Sequence, residues 1–357
     1  MVDEVLGTGS SVLSIGETLN DRYRIIKHLG SGRYSTVWLA KDQVHLAYKV
    51  IKILNEDYSG SEHHILELDI LKRLTEGDQN HPGYRHIPCL LDNFIHRRHV
   101  CLVLEPMAED MEGFGCFFRH AKIPSHILKR ITRQLLSALD YAHSLGIIHT
   151  YINQDNILVK IRDRSVIDQH LQEGGLSLGE HNFTDEYEFS KIEVVLAGWG
   201  AASWESLNHR TEMIQPQPTL LRAPEVLLQA PWGKEVDIWS LGVLLPELLD
   251  ALCMFNVTGV PYSVKHHIEE IDALFGPFPP DLLRQGKPEI VQQIFDERLQ
   301  IKSNSTDCPP ARLETRIECV DGEEKQRFLS LLRSMMTIDP QQRMTVQLLQ
   351  NSTWLTS

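Results

Sequence analysis

Two glycines in a β-forming run set the first chemical possibility. Tyr23 to Ala40 reads as two β-rich stretches around Gly30-Ser31-Gly32. Without Cβ atoms, such a hairpin lets backbone N–H groups approach the oxygens of a triphosphate. Lys49 follows in the run Ala47-Tyr48-Lys49-Val50, and Glu67 lies in a stretch of helical spacing, so a cation and an anion stand close to the hairpin in sequence. A second polar cluster, His149-Thr150-Tyr151-Ile152-Asn153-Gln154-Asp155-Asn156, brings an imidazole, a phenol, carboxamides and one carboxylate together. At neutral pH a phenol with a pKa of about 10 donates hydrogen bonds and is a poor general base.

The elements that must hold these groups follow from apolar spacing. Residues 61–75 carry Ile65, Leu68, Ile70, Leu71 and Leu74 at helical intervals, which places Glu67 on a helix. Residues 131–145 carry Leu135, Leu136, Leu139 and Ala142 in the same way, so the polar cluster at 149–156 follows a core helix. Cys89 to Ile95 and His99 to Leu104 read as short strands, and Glu105-Pro106-Met107 then reads as a hinge between two lobes. The first 20 residues are polar and rich in Gly and Ser, with too little apolar content for a domain, and are expected to form a flexible or strand-adding arm.

The chain has 357 residues, 42% of them hydrophobic, enough to bury a real core. Its formal net charge of -13 disfavours nucleic acid and anionic membranes as partners and leaves a protein partner as the expectation. The six cysteines (Cys89, Cys101, Cys116, Cys253, Cys308, Cys319) form no CxxC pair and no metal-ligand spacing, and read as reduced thiols. Met1-Val2-Asp3-Glu4 lacks a signal-peptide pattern and no 18-residue apolar run is present, so an intracellular location, cytoplasm or nucleus, is expected. On that reading the N-x-S/T matches at Asn182, Asn256, Asn304 and Asn351 are chance.

Taken together, Ser35-Thr-Val-Trp-Leu-Ala40, Ile148-His149-Thr150, Leu196-Ala197-x-x-Gly200-x-Ala202-x-Trp204, Arg222-Ala223-Pro224-Glu225 and Asp237-Ile238-Trp239-Ser240-Leu241-Gly242 resemble the protein kinases. Within them the chain is similar to the SR-protein kinase (SRPK-like) family and its fungal branches, over residues 15–355. The resemblance implies an α+β, bilobal protein-kinase fold: an N-lobe over 21–104, a hinge at 105–107 and a C-lobe over 108–357 with an insertion at about 160–193. It further implies a nucleotide pocket built from Gly30, Gly32, Val37, Ala47, Lys49, Glu67, Leu104, Glu105, Met107 and Leu158. In that pocket Lys49 pairs with Glu67 and Leu104 is the gatekeeper. It places a buried Glu225–Arg343 ion pair and an Asp237 that braces the loop at 149–156. Thr150, in place of Arg, implies no phosphorylation switch in the activation segment. The insertion, polar and acidic, is expected to be a surface excursion, ordered at most in part. Glu269, Glu270, Asp272, Asp296 and Glu297 alternate with Lys265, Arg284, Lys287 and Arg298. That mixture does not make a one-sign groove for arginine-rich substrates.

Against that pattern the reactive groups are exchanged. Tyr151 stands at the base position, Asn153 at the catalytic-lysine position and Gly198 at the metal-binding Asp position, which leaves Asn156 as an incomplete metal site. A positioned general base contributes about 10²- to 10⁴-fold, and phosphoryl transfer relies on electrostatic stabilisation for most of the rest. The expectation is therefore a pseudokinase that binds ATP without dependence on Mg²⁺ and acts through protein binding or scaffolding. Substitute carboxylates at Asp155, Asp163 or Glu193 would favour an active but atypical serine/threonine kinase, or another phosphoryl or nucleotidyl transferase. An empty pocket would leave an interaction module.

Overall fold

A computed structural model of the chain describes residues 13–32, 34–55, 66–173, 189–207, 217–255, 261–302, 313–318 and 320–357. The N-terminal lobe is a six-stranded antiparallel sheet in the order β1 (Thr18–Leu19), β2 (Tyr23–Ser31), β3 (Ser35–Asp42), β4 (Ala47–Leu54), β6 (His99–Leu104), β5 (Asp92–His96). Directly paired residues of an antiparallel sheet share a face, and side chains alternate along each strand. The pairs Ile25↔Ala40 and Ile51↔Val103 therefore put these apolar residues on the outer face, where all four are buried with Leu19, Tyr23 and Ile53. The opposite face carries Val37, paired with Lys52, and Val50, paired with Leu104.

Of the two forms expected for the arm, the strand-adding one is observed, and the chain joins this sheet from Leu13 onward. Leu13 and Leu19 are buried, Thr18 pairs with Arg24, and Glu17 ties down through Arg97 at 3.0 Å. Two apolar side chains six residues apart suffice to dock so short a segment once a sheet edge accepts its backbone. Residues 1–12 lie outside the described residues.

Helix α1 (Glu67–Glu76) buries Ile70, Leu71 and Leu74 on one face. The C-terminal lobe is built on α3 (Ser125–Ser144), whose buried stripe includes Ile127, Ile131, Leu135, Leu139 and Ala142. It also rests on a helix over Glu235–Asp250 that is buried on nearly every residue, as an all-round apolar helix must be. Between these helices and the sheet lie β7 (Met107–Asp110), the short helix α2 (Met111–Gly115), β9 (Ile157–Lys160) and β10 (Val194–Leu196), in the order β10-β9-β7. A two-residue strand, β8 (Ile147–Ile148), leads out of α3 and pairs with Ser203–Trp204, here β11.

Helix α4 (Ser165–Glu173) fills the start of the segment between β9 and β10. The expected surface excursion is therefore ordered over this stretch, with Val166 and Ile167 buried; residues 174–188 lie outside the described residues. Lower in the lobe, Arg343 meets Glu225 through two bonds of 2.8 and 3.0 Å, with both side chains fully buried. Removing one member of such a pair typically costs about 3–5 kcal/mol. Among the described residues no helix is long and apolar enough to cross a membrane, and Cys89, Cys101, Cys116 and Cys253 are free thiols.

Candidate functional site

The lysine of the cleft is Lys52. Its Nζ lies 2.6 Å from Glu67 Oε1, with the two side chains 19% and 5% exposed. The expected pairing of Lys49 with Glu67 is thus corrected by three residues, and the strand's two-residue period supplies the reason. Ala47, Lys49, Ile51 and Ile53 share one face of β4, and the buried Ile51 and Ile53 fix that face against the outer core. Tyr48, Val50 and Lys52 share the other, in register with Val37 and Leu104. Ala47 is likewise displaced from the pocket: Val50 takes its place beside Leu104. Both faces of a central strand are partly buried, so the Ala47-x-Lys49 pattern alone drew the sequence reading to Lys49. The signal that separates them is phase with Ile51 and Ile53.

Glu67 opens helix α1 and reaches across to Lys52, and a Cβ built at Gly200 would sit 3.1 Å from Glu67 Oε2. Helix α1 therefore packs close to the turn that follows β10. In β2, Gly30 pairs with Val37 and Gly32 N donates to Ser35 O at 2.8 Å. A Cβ at Gly30 would find no atom within 4 Å, so the hairpin backbone borders open space. Across the cleft, Leu158 of β9 is half-buried while its neighbours Ile157 and Val159 are buried in the lobe core, which turns Leu158 the other way. Leu104 ends β6, Glu105 and Pro106 follow, and Met107 begins β7, paired with Lys160. Val37, Val50, Lys52, Glu67, Leu104 and Leu158 thus offer apolar walls and one paired ammonium, a donor set that fits a nucleoside phosphate.

The loop at 149–156 keeps its shape. Asp237, fully buried, accepts backbone N–H bonds from His149 and Thr150, each at 2.8 Å, and sits 2.9 Å from His143 Nε2. These bonds hold Thr150 at φ +66, a conformation that costs a β-branched residue strain. Thr150 Oγ1 donates to Ala201 O at 2.7 Å, tying the loop to the activation segment, whose residues 208–216 lie outside the described residues. His149 is fully buried, and burial pushes its pKa down. The neutral ring then donates from Nε2 to Ala197 O at 2.7 Å and accepts Tyr151 N at Nδ1, 3.2 Å away. Trp199, which the sequence reading did not single out, packs edge-on against His149 at 4.5 Å and donates to Leu196 O at 2.8 Å.

The three exchanged positions do not rebuild a metal or base site. Tyr151 is 42% exposed. Asn153 turns its side-chain oxygen to the backbone N–H of Asn156 at 3.0 Å, capping its own turn. Asn156 donates its amide to Tyr151 O at 2.8 Å, and its carboxamide fills the space where a side chain at residue 198 would begin. Gly198 itself has φ +79, ψ +33. Of the proposed substitute carboxylates, Asp155 is exposed, and Asp163 accepts the Ser165 N–H at 2.9 Å ahead of α4. Among the described residues no cluster of three His, Cys, Asp or Glu side chains is placed to hold a metal. Among the described residues, those at this site do not fit Mg²⁺.

With that geometry in place, comparison supplies the class. The protein kinase domain family matches residues 23–355, and the chain belongs to that family. A crystal structure of a kinase domain aligns over 97% of this chain and 98% of its own at TM-score 0.74 and 20% identity, a likeness of fold. Its curated relatives carry SRPK- and CLK-type names. It is 28% identical to a serine/threonine protein kinase of Aspergillus fumigatus, covering 96% of this chain and 86% of that protein. It is 27% identical to protein kinase dsk1 of Schizosaccharomyces pombe, covering 96% and 82%. It is also 27% identical to the serine/threonine-protein kinase SRPK of Physarum polycephalum, covering 82% and 76%.

Proposed function

We propose that this chain is an SRPK-like pseudokinase: it holds a nucleotide between Lys52 and the apolar walls and acts by binding a protein partner, with little or no phosphoryl transfer. The observation that carries this reading is the interlock at Gly198, where Asn156 occupies the volume that a metal-binding side chain would need. Asn156's amide is committed to Tyr151 O, and Asn153 to the Asn156 N–H. No positive charge or base is left in the loop to stabilise a transferring phosphoryl group.

The partner's chemistry follows from the net charge of -13, which favours a basic protein surface. An arginine-rich substrate groove is not supported by the region after 259, where three of the five carboxylates named above are already met locally. Glu269 lies 3.7 Å from Lys265, Glu270 lies 3.8 Å from Arg316, and Asp296 accepts the N–H groups of Arg298 and Gln300.

Two observations favour an active enzyme. The Lys52–Glu67 pair and the His149–Trp199 contact are assembled, as transfer would require. Incubation with γ-labelled ATP and Mg²⁺ or Mn²⁺, with a basic serine peptide and with the chain itself as acceptor, separates the two. The pseudokinase reading predicts no label above that of a Lys52→Met variant. Transfer that exceeds that background and vanishes in the variant would establish the enzyme instead.

A further inference from the structure

The segment between β9 and β10 leaves the C-terminal lobe and touches the N-terminal one. Its first turn sends Arg164 Nη2 to Glu105 Oε1 in the hinge at 3.0 Å. Asp168 of α4 accepts a 2.5 Å hydrogen bond from the hydroxyl of Tyr48 in β4. His170 Nε2 lies 3.1 Å from Lys27 Nζ in β2, an ammonium that can only donate.

The two strand residues share more than proximity to α4. Tyr48 is in phase with Val50 and Lys52, and Lys27 pairs with Leu39, which pairs with Val50. Both therefore stand on the face of the sheet that carries Lys52. Tyr48 lies two residues beyond the Val50↔Leu104 pair, at the hinge end of that face. Its ring is held on the other side by the Lys41 ammonium, 3.8 Å from the centroid. Burial and the Asp168 bond push the phenol up to about 12, so it donates at every physiological pH.

The far end of the segment is anchored in the C-terminal lobe. Phe189 packs among Phe114, Phe117 and Phe118 at ring separations of 5.8, 5.9 and 5.1 Å. Ile192 O accepts from Arg130 and Gln134 at 2.7 and 2.8 Å.

We propose that α4 is a strap across the hinge-side mouth of the cleft, tying the sheet and hinge to the C-terminal lobe, and that it must release before a nucleotide exchanges. The proposal rests on the nucleotide-binding reading for its ligand, and on geometry alone for the strap.

The test is hydrogen exchange of the full chain without nucleotide, followed by release of a fluorescent ADP analogue. A nine-residue helix is not stable alone in water, so slow exchange over 165–173 reports docking. The double variant Lys27→Met, Tyr48→Phe alters only the sheet. Loss of a bond to a charged group should speed exchange of the α4 amides about tenfold or more, while amides of the helix over Glu235–Asp250 keep their wild-type rates. ADP release should accelerate in parallel. Arg164→Gln, on the exposed side of the contact, should act in the same direction and guards against a misfolded double variant. Random-coil exchange over 165–173 in the wild type, or exchange indifferent to these substitutions, overturns the strap. Faster α4 exchange with unchanged ADP release overturns the gating. Faster α4 exchange in a chain that binds no nucleotide upholds the strap and removes the nucleotide reading.

Discussion

Lys49 and Lys52 are three residues apart and occupy opposite faces of one strand, and the cleft takes only one of them. The motif pattern pointed to Lys49 because an alanine precedes it by two. The core chose otherwise, since burying Ile51 and Ile53 on the outer face turns Lys52 into the cleft. Lys52→Met should abolish nucleotide-dependent stabilisation of the chain, whereas Lys49→Met should leave it within error. The reverse result would restore the original assignment. Tyr151, Asn153 and Gly198 were legible as exchanged groups from the sequence. Their mutual interlock was not, because it depends on Asn156 turning back into its own loop.

At the scale of elements, the loop at 149–156 is positioned by the helix beneath it. Asp237 holds its backbone, and ten residues further along that helix Glu247 meets Gln154 Nε2 at a long 3.4 Å. Burial raises Glu247 to about 7, with the Gln154 bond opposing only in part. An unfolded glutamate titrates at about 4.3. The folded chain therefore binds more protons than the unfolded one between these values, and stability falls as pH rises through that window. Glu247→Gln should melt with the wild type at about pH 4, below the unfolded pKa, and above it at about pH 8. A difference that does not change with pH would contradict the assignment. Helix α4 shows where sequence reading stops at this scale. Its polar, acidic surroundings read as a surface excursion, and only the placement of Lys27, Tyr48 and Glu105 reveals a docking site.

For the whole molecule, the bilobal architecture was readable because its signals are long-range and redundant: helical spacing before the loop, a hinge after the last strand, and the Glu225 and Arg343 positions that close the C-terminal lobe. On the proposed reading, the chain keeps a kinase's frame, from the Asp237 brace to the paired Lys52, around a site where Tyr151 and Gly198 stand in place of the base and the metal-binding side chain. That contrast is the central claim, and a thermal-shift titration with ATP addresses it directly. Ligand binding to the native state at free concentration L raises apparent stability by RT ln(1 + L/Kd), about 2.7 kcal/mol at a hundredfold excess over Kd. The account predicts a shift with ATP or ADP that is the same in EDTA, Mg²⁺ or Mn²⁺ and absent in Lys52→Met. A shift that requires metal would contradict it, by demonstrating a ligand in place of the missing side chain at Gly198.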